Sequence, residues 1–139
     1  MRLLHLLCLL PVPAFAQELP EVDMVPPGVM AVVLAAADPG EIVDRVRLWQ
    51  GDLNGDAQPD LVVQAAYANQ GGGNAVWLRQ WIFAASGTGY DAVRMLDLPD
   101  GIKAVRRAGA DLVVTTYSYQ PGDPRCCPTG QAETRVALD

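Results

Sequence analysis

From residue 41 to residue 139, short apolar and β-branched runs alternate with turn residues, and this rhythm constrains the fold more than any other feature of the sequence. Short runs separated by turns at such spacing are typical of antiparallel strands. The sequence therefore predicts a β-rich domain over 41–139, an antiparallel meander of about six or seven short strands. The candidate strands are 43–49, 61–67, 76–83, 92–98, 102–106, 112–117 and 134–138.

Two details of the strand pattern give finer expectations. Alternation in the third candidate strand places Trp77 and Trp81 on one face. These two residues and Trp49 are expected to pack as core aromatics beside the sheet, and a ligand-stacking surface is the alternative. The Pro99-Asp100-Gly101 sequence predicts a turn, because Gly takes positive φ at no steric cost. We expect this turn to close a hairpin between 92–98 and 102–106.

Residues 17–40 are predicted to form an extended, proline-rich lead-in followed by a short apolar helix. Val29–Ala37 is continuously apolar and rich in Ala, and Asp38-Pro39-Gly40 follows it as a stop signal. These features favour a helix, although periodicity alone leaves a short buried strand open. A sheet that packs one face on this helix gives an α+β domain, or a mainly β domain such as a small sandwich.

Residues 1–16 have the three zones of a cleavable signal peptide. Arg2 supplies the positive n-region, Leu3–Leu10 forms the apolar run, and Ala14-Phe15-Ala16 places small residues at the cleavage positions. The apolar run is about half of the roughly 20 residues that span a bilayer, so we expect no membrane span. The sequence predicts a periplasmic or secreted protein.

Charge and histidine content exclude several classes of function. The chain carries 16 Asp and Glu against 10 Lys and Arg, a net charge of −6, and its basic residues are scattered, which argues against nucleic acid as a partner. Its one histidine, His5, lies in the predicted signal peptide. A processed chain without imidazole has no Ser-His-Asp or Cys-His catalysis and no histidine metal site. We therefore expect a protein without enzymatic activity, and we expect it to be monomeric.

The densest chemical feature is the acidic segment 52–60, which lies between two candidate strands. Oxygen ligands at alternate positions of a loop can wrap one Ca²⁺, with a backbone carbonyl at the seventh position. This pattern predicts a structural calcium site. Its ligands would be Asp52, Asn54, Asp56, the carbonyl of Gln58, and Asp60.

Other interpretations of the acidic segment stay open. It is not an EF-hand, because Ala57 stands where the invariant Gly belongs and Val63 where the bidentate Glu belongs. The first alternative is a polar Asx-rich turn that binds no metal. The second is a carboxylate-based hydrolase that acts through Asp52, Asp56 or Asp60.

The second unusual feature is a pair of adjacent cysteines, Cys126 and Cys127. Consecutive Cα atoms are about 3.8 Å apart, below the usual disulfide range of roughly 4.4–6.8 Å, so a bond between neighbours is strained and easily reduced. Free thiols, a vicinal disulfide, an intermolecular bridge, and a soft-metal or redox site all stay open. The alternative function is therefore a thiol-based redox or soft-metal-handling periplasmic protein that uses both cysteines.

Together, the two segments resemble a group of uncharacterised bacterial secreted or periplasmic proteins. Asp52–Asp60 is similar to the D-x-(D/N)-G-D-x-x-x-D loop of FG-GAP and VCBS-type β-proteins, here in a single copy. Cys126-Cys127-Pro128-Thr129-Gly130 is similar to a C-C-P-(S/T)-G motif in the same group. The resemblance implies an exported β-rich domain. We expect a small acidic binding domain for an unknown protein or envelope ligand.

Overall fold

The structure, a computed structural model, describes residues 16–139, so residues 1–15 of the predicted signal peptide, with His5, lie outside the described residues. Over the described range the chain forms one helix and nine strands. The predicted short helix and the predominance of antiparallel strands are confirmed. The elements are β1 (Gln17–Glu18), β2 (Glu21–Val22), α1 (Pro27–Ala35), β3 (Glu41–Gly51), β4 (Asp60–Asn69), β5 (Val76–Ser86), β6 (Gly89–Leu96), β7 (Ile102–Ala108), β8 (Asp111–Ser118) and β9 (Gly130–Ala137).

The strands form two antiparallel sheets. One sheet has the order β1-β7-β8-β9 and the other the order β2-β3-β4-β5-β6. The short strands β1 and β2 pair with β7 and β3, respectively. The chain therefore passes from one sheet to the other at Leu19, whose side chain is buried.

The inner faces of the two sheets share a hydrophobic core. Alternate residues of each strand point inward. Val62 and Ile82 come from the five-stranded sheet, and Val105 and Val114 come from the four-stranded sheet. Burying one such side chain stabilises the fold by about 1.5–3 kcal/mol. The shared core therefore holds the two sheets together as a sandwich. The whole cluster is Leu19, Trp49, Leu53, Val62, Ile82, Leu96, Ile102, Val105, Leu112 and Val114.

The helix α1 covers the outer face of the five-stranded sheet. Pro27 occupies its first turn, where the missing N–H of proline costs no helical hydrogen bond. Val29 and Val33 are fully buried against this face. The Tyr67 hydroxyl donates a hydrogen bond to the carbonyl of Val33, at 2.7 Å, which links β4 to the helix. The buried residues of this second cluster are Val29, Val33, Leu48, Leu61, Val63, Ala65, Tyr67, Trp81 and Phe83.

The structure corrects two expectations. The lead-in contains β1 and β2, so the described range has nine strands and not six or seven. The Pro99–Gly101 turn does not close a hairpin, because β6 pairs with β5 whereas β7 pairs with β1 and β8. Leu96 and Ile102 both enter the core between the sheets, so the turn carries the chain from one sheet to the other. The N–H of Ile102 donates to Gln64 Oε1, at 2.7 Å, which fixes this crossing.

Candidate functional site

The acidic segment 52–60, called the acidic loop from here on, connects β3 to the start of β4, and Asp60 fixes it to the rest of the fold. The Asp60 side chain is buried, with 1% exposure. Its two carboxylate oxygens accept hydrogen bonds from the N–H of Leu53, at 2.8 Å, and from the N–H of Ala85, at 2.9 Å. Leu53 itself packs into the core between the sheets. The loop is therefore held both to β5 and to the core.

Asp52 organises the exposed part of the same loop. Its two oxygens accept hydrogen bonds from the N–H of Gly55, at 2.7 Å, and from the N–H of Ala57, at 3.0 Å. Both donors lie in the left-handed region, with φ of 83° at Gly55 and 65° at Ala57. Glycine adopts this conformation freely, whereas for alanine it costs roughly 1 kcal/mol or more. The loop therefore carries backbone strain at Ala57.

The pKa of Asp52 lies below its ordinary value. Partial burial acts to raise this pKa, but the hydrogen bonds from the backbone outweigh it, and the positive charge of Arg107 adds to them. Arg107 also donates from Nη1 to the carbonyl of Asp52, at 2.7 Å. These contacts hold Asp52 as a carboxylate.

Three of the five predicted calcium ligands come together. Asp52, Asp56 and Asp60 each present a carboxylate oxygen, and these three atoms lie within 4.8 Å of one another. Two ligands of one Ca²⁺, each at 2.3–2.6 Å, are separated by at most about 5.2 Å, so the spacing of these three atoms lies within that limit. The other two predicted ligands lie in the same loop. Asn54 Oδ1 accepts from the N–H of Asp56, at 3.0 Å, and the N–H of Gln58 donates to Asp56 Oδ1, at 2.8 Å.

A small, mainly apolar cavity of about 190 Å³ adjoins the acidic loop. Asp60 and Leu53 line it on the loop side, and Val93 and Leu138 line it on the side of β6 and the C-terminus. This volume is below the roughly 300–1,000 Å³ that is usual for ligand pockets. The cavity beside the acidic loop is therefore smaller than an ordinary ligand pocket.

The cysteine loop, residues 119–129, joins β8 to β9, and Asp123 organises it. The Asp123 carboxylate accepts hydrogen bonds from the N–H of Gln120, at 2.7 Å, and from the N–H of Thr129, at 2.8 Å. The Thr129 hydroxyl donates to the same carboxylate, at 2.9 Å. The backbone hydrogen bonds from Gln120 and Thr129 are the main reason that the pKa of Asp123 lies below its ordinary value.

Cys126 and Cys127 form a disulfide with each other, and their Cα atoms lie 3.8 Å apart. Of the four arrangements that the sequence leaves open, the structure has the vicinal disulfide. The N–H of Cys127 donates to the carbonyl of Pro124, at 3.0 Å, which closes a turn around the pair. Both cysteines are exposed, so the disulfide is accessible to other molecules.

A groove of about 730 Å³ lies between the cysteine loop and the start of β5. Its neighbourhood contains exposed apolar and aromatic side chains, with Val76 and Tyr119 each 51% exposed. Trp77 is 43% exposed, so the expectation that it packs in the core is wrong, whereas Trp81 is buried. The groove is lined by Asn74, Ala75, Val76, Tyr119, Arg125 and Cys126.

Sequence reasoning identified neither this groove nor the role of Asp123. The groove is built from the loop before β5 and the loop after β8, which are far apart in the chain, so no local pattern connects them. For Asp123 a weak signal existed, because Asp side chains commonly close turns by accepting hydrogen bonds from the following backbone.

Comparisons with known proteins provide no relative, because no family model, no curated protein and no solved structure matches the chain. In the part of the chain that the structure describes, no helix is both long enough and apolar enough to cross a membrane. The function is therefore inferred from the two loops and from the groove beside the cysteine loop.

Proposed function

We propose that this chain is an exported, non-enzymatic binding domain in which one Ca²⁺ stabilises the acidic loop. The observation that carries the calcium proposal is the convergence of Asp52, Asp56 and Asp60, whose carboxylate oxygens lie within 4.8 Å of one another. Two unit charges 4 Å apart in water repel by about 1 kcal/mol. A divalent cation among these oxygens replaces that repulsion with attraction, and oxygen ligands are those that Ca²⁺ prefers.

The ion has a structural role in this proposal. Asp60 connects the loop to β5 through the N–H of Ala85, and Leu53 connects it to the core. An ion that binds the folded loop and not the unfolded chain stabilises the fold by linkage. At a free calcium concentration 100 times the Kd, the gain is about 2.7 kcal/mol.

The binding role is supported by the groove beside the cysteine loop. Tyr119 is an exposed aromatic side chain that lines this groove, Val76 adds an exposed apolar side chain, and Arg125 adds a guanidinium. Aromatic residues and Arg are enriched where proteins bind each other. We infer that the ligand is a protein or another envelope component that contacts these side chains.

Thermal unfolding in millimolar calcium and in EGTA tests the calcium proposal. The informative variant is Asp56→Asn, because Asp56 is exposed and Asn keeps an oxygen that accepts the hydrogen bond from Gln58. Calcium should raise the midpoint of the wild-type protein by several degrees and that of Asp56→Asn by much less. In EGTA the variant should be at least as stable as the wild type, because one of three repelling charges is gone.

The matched control is Asp91→Asn, which removes an exposed carboxylate from β6, outside the loop. It should keep the full response to calcium. A wild-type midpoint that is equal in calcium and in EGTA would contradict the proposal and leave segment 52–60 as a polar turn.

A thiol–disulfide function is the second candidate, because the disulfide is exposed and Cys126 lines the groove. A substrate dithiol would pass two electrons and two protons to the Cys126–Cys127 bond, leaving two thiols here and a disulfide in the substrate. The reduced pair would also supply thiolates for a soft metal. Mass analysis after mixing with a dithiol peptide tests this function, with Cys126→Ser/Cys127→Ser as the control. No transfer of the disulfide to the peptide would exclude it.

A further inference from the structure

β9 is an outer strand of the four-stranded sheet, and no described residue forms a strand on its open side. Its register with β8 is regular at every paired position, without a bulge. By contrast, β6 is an outer strand of the other sheet, and its pairing with β5 shifts register between Ile82 and Phe83. Proteins usually protect edge strands with charged side chains, Pro or a bulge. β9 has no Pro and no bulge, and its two charged residues, Glu133 and Arg135, have opposite signs.

The open side of β9 presents unpaired backbone groups. The N–H of Leu138 donates to the carbonyl of Ala110, at 2.9 Å, so Leu138 points its backbone groups toward β8. Backbone groups alternate in direction along an antiparallel strand. The outward positions are therefore Gln131, Glu133, Arg135 and Ala137. The carbonyl of Ala137 also points outward, but it already accepts a hydrogen bond from Arg94 Nη2. The open backbone groups of this edge are therefore those of Gln131, Glu133 and Arg135.

The side chains of β9 are complementary to themselves. If a second copy of β9 runs antiparallel with Thr134 at the centre, Glu133 of each copy lies opposite Arg135 of the other. Directly opposite residues share a face of the sheet, and opposite charges there attract. The two strands could also pair in a register shifted so that Glu133 or Arg135 is at the centre, with the same side chains on each face of the sheet. Such a register places Glu133 opposite Glu133, or Arg135 opposite Arg135, and these like charges repel. The charge pattern therefore selects one register.

Glu133 and Arg135 already form ion pairs within the chain, and these pairs are compatible with the pairing of two copies. Glu133 accepts from Arg106 Nη1, at 2.6 Å, and Arg135 Nη1 donates to Asp111, at 3.2 Å. The side chains of Glu133 and Arg135 remain 55% and 63% exposed. Each can reach a further partner, because a carboxylate accepts several hydrogen bonds and a guanidinium donates five. Pairing of two copies would produce a row of alternating charges.

We propose that β9 pairs with β9 of a second copy of this chain, centred on Thr134, so that two four-stranded sheets join into one continuous sheet. This homodimer goes beyond the proposed function and opposes the sequence-based expectation of a monomer. The partner is a second copy because the complementarity is internal to β9, with Glu133 and Arg135 placed symmetrically about Thr134.

Sedimentation equilibrium of two charge variants, alone and mixed, tests the proposal. Glu133→Arg gives a strand with two positive charges, and Arg135→Glu gives a strand with two negative charges. Each variant alone places like charges opposite each other, and the dimer Kd should rise roughly ten-fold or more. An equimolar mixture should form a heterodimer with wild-type affinity, because both positive charges of the first variant then face negative charges of the second. A role limited to the intramolecular ion pairs predicts no such rescue, since both variants lose one of those pairs.

Amide hydrogen exchange of the wild-type protein gives a second measurement that needs no variant. The N–H groups of Glu133 and Arg135 should become protected as the protein concentration rises, whereas that of Thr134 points toward β8 and should be protected throughout. A protein that is monomeric up to submillimolar concentration would overturn the proposal. So would a dimer whose Kd is unchanged by the charge variants.

Discussion

The acidic loop and the cysteine loop are built by the same device but are connected to the fold in different ways. In both, aspartate oxygens accept hydrogen bonds from backbone N–H groups of the loop, at Asp52 and Asp60 in one and at Asp123 in the other. Asp60 is buried and reaches across to β5, whereas the contacts of Asp123 stay within residues 120–129. The acidic loop is therefore coupled to the core, and the cysteine loop is held locally.

The two loops also differ in charge. Three carboxylates converge in the acidic loop, while Asp123 is the one acidic residue of the cysteine loop and Arg125 lies near it in sequence. Hydrogen bonds alone satisfy Asp123. In the acidic loop, backbone hydrogen bonds and Arg107 stabilise the charge of Asp52, but the carboxylates of Asp56 and Asp60 lie close beside it. This is why the calcium proposal applies to that loop and not to the other.

The largest difference should appear when the organising carboxylate is removed. Asp60→Ala leaves the N–H groups of Leu53 and Ala85 without their acceptor, and two such losses cost roughly 2–6 kcal/mol of unfolding free energy. Asp123→Ala should cost much less, because water can solvate the freed groups of an exposed loop. Urea unfolding in EGTA measures both. Equal losses for the two variants would contradict the distinction between a core-coupled loop and a local one.

The next effect concerns backbone strain. Replacing Ala57 by Gly should stabilise the protein by up to about 1 kcal/mol, because Ala57 has φ of 65° and Gly adopts this conformation without a steric penalty. The cysteine loop already has Gly at its positive φ, Gly122 with 90°, so Gly122→Ala should destabilise. Urea unfolding of both variants checks the opposite signs. A destabilising Ala57→Gly would mean that unfolded-state entropy outweighs the strain.

Much of this architecture follows from local sequence. The β-rich range 41–139, the helix after the lead-in and the alternation in β5 depend on periodicity within each element, and the sequence predicts them. The acidic cluster is also predictable, because its three carboxylates lie within nine consecutive positions, Asp52–Asp60.

The features that the sequence did not predict depend on contacts between residues that are far apart in the chain. β1 and β2 are two residues long and exist only through pairing with β7 and β3. The Pro99–Gly101 turn has residues that are typical of a hairpin turn. It nevertheless connects two different sheets, because Leu96 and Ile102 are both buried in the core between them. The groove likewise forms only because the start of β5 lies close to the loop that follows β8.

Acid should weaken both loops in the same direction. The pKa values of Asp52 and Asp123 are lowered in the folded state, so each contributes stability above its ordinary pKa and loses it as the pH falls through the folded value. Asp52→Asn and Asp123→Asn should each flatten the loss of stability between neutral pH and strongly acidic pH. Urea midpoints across this range, in EGTA, measure the slopes. An unchanged slope for either variant would show that its carboxylate contributes nothing to acid sensitivity.

The smallest effect is expected from removal of the disulfide. A cross-link stabilises mainly by closing a loop in the unfolded chain, and the Cys126–Cys127 bond closes none beyond the two adjacent residues. Cys126→Ser/Cys127→Ser should therefore change the unfolding free energy by no more than about 0.5 kcal/mol, as at other exposed positions. The amides of Gln120 and Thr129 should keep their hydrogen-exchange protection, because they donate to Asp123 and not to the cysteines. If the serine variant loses this protection while Asp123→Ala retains it, the disulfide and not the carboxylate organises the loop, and the similarity between the two loops fails.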